Sequence, residues 1–307
     1  MATTQTTTDV ADFGEKDTRK DDMQDATEEF VEDLIDEASS ARESETMKEF
    51  LDAQSAFHDY SYRNALLIKM QCPHATRVAG YRTWQDDCDR QVQSGEEAIY
   101  ILYPRTAEHT CPECGNTPDY HDSIGCEYDD TEPEEWDSGV VAWQTGSVFD
   151  VSQTEGEPLP ELPTDAEGEA DNLLDAMLTA AEDLVSSVEI VDADEWTRGS
   201  TKGVCDTTEQ TIEVKDRANA AVAGTLAHEL AHARLHQGNQ TGDRQERELE
   251  AEAVAYVVGR HFGIDVSGSG FYLAAWENDD AEEIRGHLKR INQTASTIID
   301  AITAEIE

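Results

Sequence analysis

Apolar residues recur at helical spacing along most of this chain and at strand spacing in only a few short runs. Phe30, Leu34 and Ala38, then Met47, Phe50 and Leu51, predict two helical pieces broken near Ser39 and Ser40. Residues 62–70 continue the pattern with Leu66, Leu67 and Met70 facing inward, and Cys72-Pro73 ends it. The run 98–103 (AIYILY) predicts a strand, with 140–143 and 147–151 as its partners. Farther on, Leu173, Leu174, Met177, Leu178, Ala181 and Leu184 mark a helix, and 188–191 and 211–214 mark strands. Residues 271–306 read as helical, with Tyr272, Leu273 and Trp276 either lining a cleft or capping it. The expected fold class is α+β. Residues 1–27 read as a disordered acidic tail and 28–153 as a first α+β domain with a small antiparallel sheet. Residues 154–169, with three prolines among acids, read as a linker, and 170–307 as a mainly helical domain with a short sheet.

The stretch 225–236 (TLAHELAHARLH) places His228, Glu229 and His232 in the order H-E-x-x-H. On a helix, residues four apart stand one above the other, so both imidazoles project from one face. Two neutral imidazoles so placed can hold zinc, with Glu229 beside them to take a proton from water. The five-residue pattern alone is weak, and a third donor is needed. A polar loop, 237–243, leads into a second amphipathic stretch in which Glu248 lies sixteen residues past His232. That distance suits one loop and a returning antiparallel helix. Glu248 is the expected third ligand, and Glu252, on the same face, the carboxylate that orients a ligand imidazole. Glu250 is the rival ligand. The plainer reading is a buried helix with stray histidines in a chain rich in glutamate.

A second donor set lies between the expected strands of the first domain. Cys111-Pro-Glu-Cys114-Gly is a C-x-x-C turn, and His121 and Cys126 follow within reach. Three thiolates and one imidazole complete a tetrahedral zinc site that would staple a loop of little apolar content. His109 can replace His121, and four reduced, metal-free side chains are the alternative. Cys72, Cys88 and Cys205 are isolated and read as inert.

Charge changes the picture. The 307 residues carry 68 acidic and 22 basic side chains, a formal net charge of −46. Such self-repulsion opposes a compact fold in dilute buffer, whereas at molar salt the Debye length is about 3 Å and screening is nearly complete. The composition therefore predicts a halophile's cytoplasm. No apolar run approaches the length of a membrane span, no hydrophobic leader is visible, and six cysteines without one argue against a disulfide framework. The window 58–105 departs from this acidity, with six basic and six acidic residues and Tyr60, Tyr62, Tyr81 and Trp84 interleaved. Aromatic faces beside Arg and Lys are what an unpaired nucleic acid strand requires. Tyr62, Arg63, Asn64, Lys69, Tyr81, Arg82 and Trp84 are the candidate contacts, against the alternative that the aromatics simply pack.

The runs 60–68 (YSYRNALLI), 78–84 (VAGYRTW), 95–99 (GEEAI) and 148–156 (VFDVSQTEG) resemble the N-terminal domain of ArdC-type antirestriction proteins. The HELAH helix with Glu248-Leu-Glu-Ala-Glu252 is similar to the metallopeptidase half of the same proteins and to the ImmA/IrrE peptidases. The resemblance implies a single-stranded DNA-binding domain followed by a zincin-like metallopeptidase domain. The Cys111 to Cys126 segment departs from it and looks like an insertion. The expectation is a cytoplasmic, zinc-dependent peptidase with an antirestriction-like role in protecting or processing incoming DNA. Its peptide substrate is unspecified and no membrane is involved. Three alternatives stand beside it: a DNA-coating protein without turnover, a regulatory protease that cuts a repressor, and a DNA mimic whose acidic surface occupies a restriction enzyme, the last disfavoured because the acids are spread throughout the chain.

Overall fold

The computed structural model describes residues 10–39, 43–128, 130–159, 169–237, 244–264 and 269–306. In chain order the elements begin with helices α1 (Arg19–Ala38), α2 (Glu45–Ala56) and α3 (Tyr62–Gln71). Strand β1 (Val78–Gly80), helix α4 (Tyr81–Asp86), strands β2 (Arg90–Val92) and β3 (Ile99–Ala107) and helix α5 (Pro118–Ile124) follow. Strands β4 (Gly139–Asp150) and β5 (Thr154–Gly156), helix α6 (Glu169–Leu184) and strands β6 (Ser187–Val191), β7 (Gly203–Asp206) and β8 (Thr211–Lys215) come next. Helices α7 (Asn219–Leu235), α8 (Arg244–His261) and α9 (Ala281–Ile306) complete the order. The fold is α+β. Among the described residues no helix is long and apolar enough to cross a membrane.

The chain divides into two units, residues 1–26 with 67–157 and residues 27–66 with 158–307. In the first unit β4 is the central strand of an antiparallel sheet, order β1-β4-β3, and β2 pairs with β5. The expected partners 140–143 and 147–151 are thus mostly one long strand. Asp150 ties its end: the buried carboxylate accepts from the backbone NH groups of Thr76 (2.8 Å) and Ser152 (2.9 Å) and from the Ser152 hydroxyl (2.6 Å). Burial opposes that charge, but these hydrogen bonds outweigh it and hold the carboxyl below its usual range.

The stretch expected to be a disordered tail through residue 27 is helical from Arg19. Phe13 and Met23 are buried against Leu67 and Leu102, and the Arg19 guanidinium lies 3.6 Å over the Tyr100 ring. Apolar residues spaced among acids were enough to dock this segment. Residues 1–9 lie outside the described residues, as do 160–168 of the expected linker and 238–243 of the loop before α8.

The second unit is helical around α7, with a three-stranded sheet of order β6-β8-β7 in which β6 runs parallel to β8 and β7 antiparallel. Helix α7 buries Leu226, Ala227, Leu230 and Ala231 completely, packing against α6, α8, α9, β7 and β8. A helix apolar on nearly every side is a central one. The sequence placed the domain division at 154–169 alone, whereas residues 27–66 join this unit. Phe30 meets Phe50 at 5.9 Å, and the Tyr256 hydroxyl donates to Asp52 at 2.8 Å. Ser44 starts α2 by accepting from the Met47 NH at 2.9 Å, while its own backbone NH donates to the Phe271 carbonyl at 2.7 Å. Leu273 and Trp276 are fully buried, Trp276 stacked 4.7 Å from the His287 ring, so they cap the core rather than line a cleft.

Candidate functional site

One turn of α7 separates His228 from His232, and their Nε2 atoms stand 3.1 Å apart. The antiparallel return of α8 brings a Glu248 oxygen to 3.6 Å from His228 Nε2 and 3.7 Å from His232 Nε2. A cation bonded to N and O donors at about 2.0–2.1 Å in tetrahedral geometry spaces them by about 3.3 Å. The triangle fits such an ion, and the donor set of two imidazoles and one carboxylate suits zinc. Glu252, one turn on, lies 3.4 Å from His228 Nδ1 and accepts from the Ser269 hydroxyl at 2.7 Å. It is placed to hold the ring so that Nε2 faces the other donors.

Glu250 points elsewhere. Its buried carboxylate meets His287 Nδ1 at 2.7 Å and Arg290 at 2.6 Å, and Asp279 holds the far nitrogen of His287 at 2.9 Å. This network ties α8 to α9 behind the candidate centre.

Glu229 is buried under β7. A Cβ added to Gly203 would lie 2.5 Å from Glu229 Oε1 and 2.7 Å from Thr225 Cγ2, so only glycine leaves room for the carboxylate here. Burial, reinforced by Glu248 and countered by His228, pushes Glu229 up to about 7. Burial and the neighbouring His228 and His236 push His232 down to about 3. For His228 burial works against the charged form, but Glu252, Glu229 and Glu248 together raise it. The carboxylates of Glu248, Glu252 and Glu229 thus gather negative charge around the two imidazoles, which is what would draw a cation to this point.

The centre opens on a cleft of about 910 Å³ whose other wall is residues 200–205. Strand β7 is the edge of its sheet, and the Lys215 NH donates to the Lys202 carbonyl. With the register Gly203↔Val214 and Cys205↔Ile212, the peptide groups of Gly203 and Cys205 point away from β8 along that edge. Sequence reading did not single out β7, Gly203 or His236, which sits a further turn along α7 and contacts the Arg247 carbonyl at 3.3 Å. The i+4 spacing was the available sign for His236. Nothing local marked Gly203, whose neighbour is twenty-six residues away.

The first unit brings together Cys111, Cys114, His121 and Cys126, with one donor atom from each lying within 4.8 Å of the others. His109 is turned aside, its Nδ1 3.0 Å from the Trp136 carbonyl.

The seven candidate nucleic-acid contacts are in different situations. Tyr62, Arg63 and Asn64 belong to the second unit and the other four to the first. Tyr62 is buried edge-on to Phe50, Asn64 is buried, and Arg63 lies 3.5 Å from Glu28. Lys69 donates to the carbonyls of Pro73 and Ala75 and closes the turn after α3. Trp84 is 2% exposed and donates its indole NH to the Phe149 carbonyl at 2.8 Å, which makes it a core residue. Tyr81, 47% exposed, and the exposed Arg82 stand side by side on the first turn of α4. The same unit exposes Tyr103 and Trp143, which lay outside the candidates.

Residues 20–149 match the domain family described as the N-terminal domain of anti-restriction factor ArdC. An uncharacterized protein of Bacillus anthracis is 27% identical, with 94% of this chain aligned to 53% of that protein. The chain thus spans about half the length of that relative. Two crystal structures of the antirestriction ArdC protein from plasmid R388 are also similar. The metal-free one is 19% identical, covers 79% of this chain and 85% of that chain, and has a TM-score of 0.45. The Mn(II)-bound one is 18% identical, covers 82% and 97%, and has a TM-score of 0.42.

Proposed function

We propose that this chain, ArdC-type in its N-terminal domain, joins a single-stranded DNA-binding surface to a zinc-dependent peptide-hydrolysing centre. The observation that carries the reading is the triangle of His228, His232 and Glu248 with the buried carboxylate of Glu229 beside it. His228, His232 and Glu248 would hold a zinc ion, which when bound would supply Lewis acidity to the reacting water and carbonyl. Glu229 takes the proton of the attacking water on its carboxylate and passes it to the leaving amine. Glu252 keeps the His228 ring in register from the Nδ1 side. The outward peptide groups of Gly203 and Cys205 align an extended substrate as an added strand beside the centre.

In the N-terminal domain Tyr81 offers an aromatic face and Arg82 a guanidinium for an unpaired strand. The acidic composition supports a salt-filled cytoplasm as the setting, where counterion release contributes little and stacking carries more of the affinity. The role is antirestriction-like, acting on incoming DNA.

Glu229→Gln is expected to keep its zinc by elemental analysis while cleavage of a denatured protein substrate falls by about 10²–10⁴-fold. Preserved turnover in that variant would reject the hydrolytic reading. Replacing Tyr81 and Arg82 together with Ala is expected to weaken oligo-dT binding in molar KCl about tenfold, since one stacked base contributes about 1–3 kcal/mol. Unchanged affinity would remove this surface from the proposal.

A further inference from the structure

We propose that Cys111, Cys114, His121 and Cys126 form a second, closed zinc centre that organises the segment between β3 and β4. It shares no residue with the cleft of the second unit and stands whether or not that cleft hydrolyses anything.

The geometry is that of a tetrahedron. Zinc bonds of about 2.3 Å to sulfur and 2.0 Å to nitrogen put neighbouring S and N donors about 3.5 Å apart. Cys114 Sγ and His121 Nδ1 are 3.7 Å apart, and the four donor atoms lie within 4.8 Å of one another. Local backbone bonds set each donor. After Cys114 the chain reverses at Gly115, whose φ of 68° lies in the left-handed region and whose NH returns to the Cys111 carbonyl at 2.8 Å. The Cys111 NH donates to the Asn116 carbonyl at 2.8 Å. His121 rides on α5, and the Cys126 NH reaches back to the His121 carbonyl at 3.3 Å.

The donor chemistry selects the metal and its role. Three thiolates and an imidazole favour zinc over the hard cations magnesium, calcium and manganese. Four protein donors fill a tetrahedron and leave no position for a reacting group, so the centre is structural. All three cysteines are free, and three thiols cannot pair off as disulfides. Trp136 covers the site, its ring edge-on to His121 at 5.0 Å, and its indole NH donates to the Thr131 carbonyl at 3.1 Å.

The packing supplies the need. Among the described residues from 108 to 138, the buried apolar side chains are Cys111 and Trp136 alone. Burial on that scale does not offset the entropy of ordering the whole segment, so a cross-link must.

The test uses the full chain. Elemental analysis is expected to find one zinc fewer per chain in Cys111→Ser/Cys114→Ser than in the wild type, and to find the remaining zinc at this centre in His228→Ala/His232→Ala. Because the cysteine variant can fail to fold, cobalt(II) loading of His228→Ala/His232→Ala gives an independent reading. It is expected to show the near-ultraviolet sulfur-to-cobalt charge-transfer band of thiolate ligation. Absence of that band, or wild-type zinc content in the cysteine variant, would overturn the assignment.

Discussion

The donors of the cleft hang from helices that stand without them, whereas those of the knuckle are most of what their segment has. Around the cleft, Leu226, Ala227, Leu230 and Ala231 of α7 and Ala251, Val254, Val257 and Val258 of α8 are fully buried. At about 1.5–3 kcal/mol for each large aliphatic side chain, this packing fixes the helices before any cation arrives. In the knuckle, two buried apolar side chains face a backbone ordering cost of about 1–2 kcal/mol per residue over the segment. A fold makes one site. In the other, on the proposal above, a metal would make the fold.

Chelation breaks or confirms this contrast with the largest effect. Structural zinc contributes an apparent 10–16 kcal/mol or so in small domains at neutral pH. Stripping metal from the full chain is therefore expected to abolish amide-exchange protection at Cys111, Gly115 and Cys126, while Leu226 to Leu230 of α7 exchange nearly as before. Hydrogen-exchange mass spectrometry reads both regions at once. Equal loss in both, or a knuckle that stays protected, would end the comparison.

The fold-made site should instead be sensitive to its supporting network. Glu250 is buried against the buried His287 and the half-exposed Arg290, and removing the charge from such a carboxylate costs about 3 kcal/mol. Glu250→Gln is expected to lower Tm by about 5–10 °C without changing zinc content at the knuckle. The pH dependence has a definite sign. Burial opposes the Glu250 charge, but hydrogen bonds from His287 and Arg290 outweigh it and depress the folded-state value. A depressed carboxylate contributes stability above its unfolded pKa of about 4.3 and loses it as pH falls through the folded value. Acid unfolding below about pH 4 should therefore be shallower in the variant than in the wild type. Identical acid limbs would show that the network does not bear on stability.

Which of these features the sequence exposed depends on how far the causes lie apart along the chain. His228 and His232 were legible because helix geometry alone fixes their relation, and Glu248 because a short loop forces an antiparallel return. The Glu250 partners lie 37 and 40 residues away on α9, and no local pattern ties them to it. Trp84 shows the opposite difficulty. An aromatic beside arginine has the same local signature whether it stacks a base or fills a core, and only the Phe149 carbonyl 65 residues on distinguishes them. The grouping of residues 27–66 with the C-terminal half was likewise hidden, because amphipathic faces say that a helix packs and not against what.

The smallest expected effects come from one glycine in each region, and they separate room from backbone freedom. Gly203 has its neighbours crowded where a side chain would begin, with Glu229 Oε1 2.5 Å and Glu229 Cγ 2.8 Å from the position of a Cβ. Gly203→Ala forces the flexible carboxylate aside at an overpacking cost of about 1–3 kcal/mol. A displacement of about 1 Å in a proton-carrying group can lower turnover about a hundredfold. Zinc content should not change, since the crowded atoms are not donors. Gly115 is the reverse case. Nothing lies within 4 Å of its would-be Cβ, but its φ of 68° costs an alanine about 1–2 kcal/mol. Gly115→Ala should loosen exchange protection in the knuckle and leave turnover intact. If both variants lost turnover equally, the two centres would not be the separate devices their packing makes them.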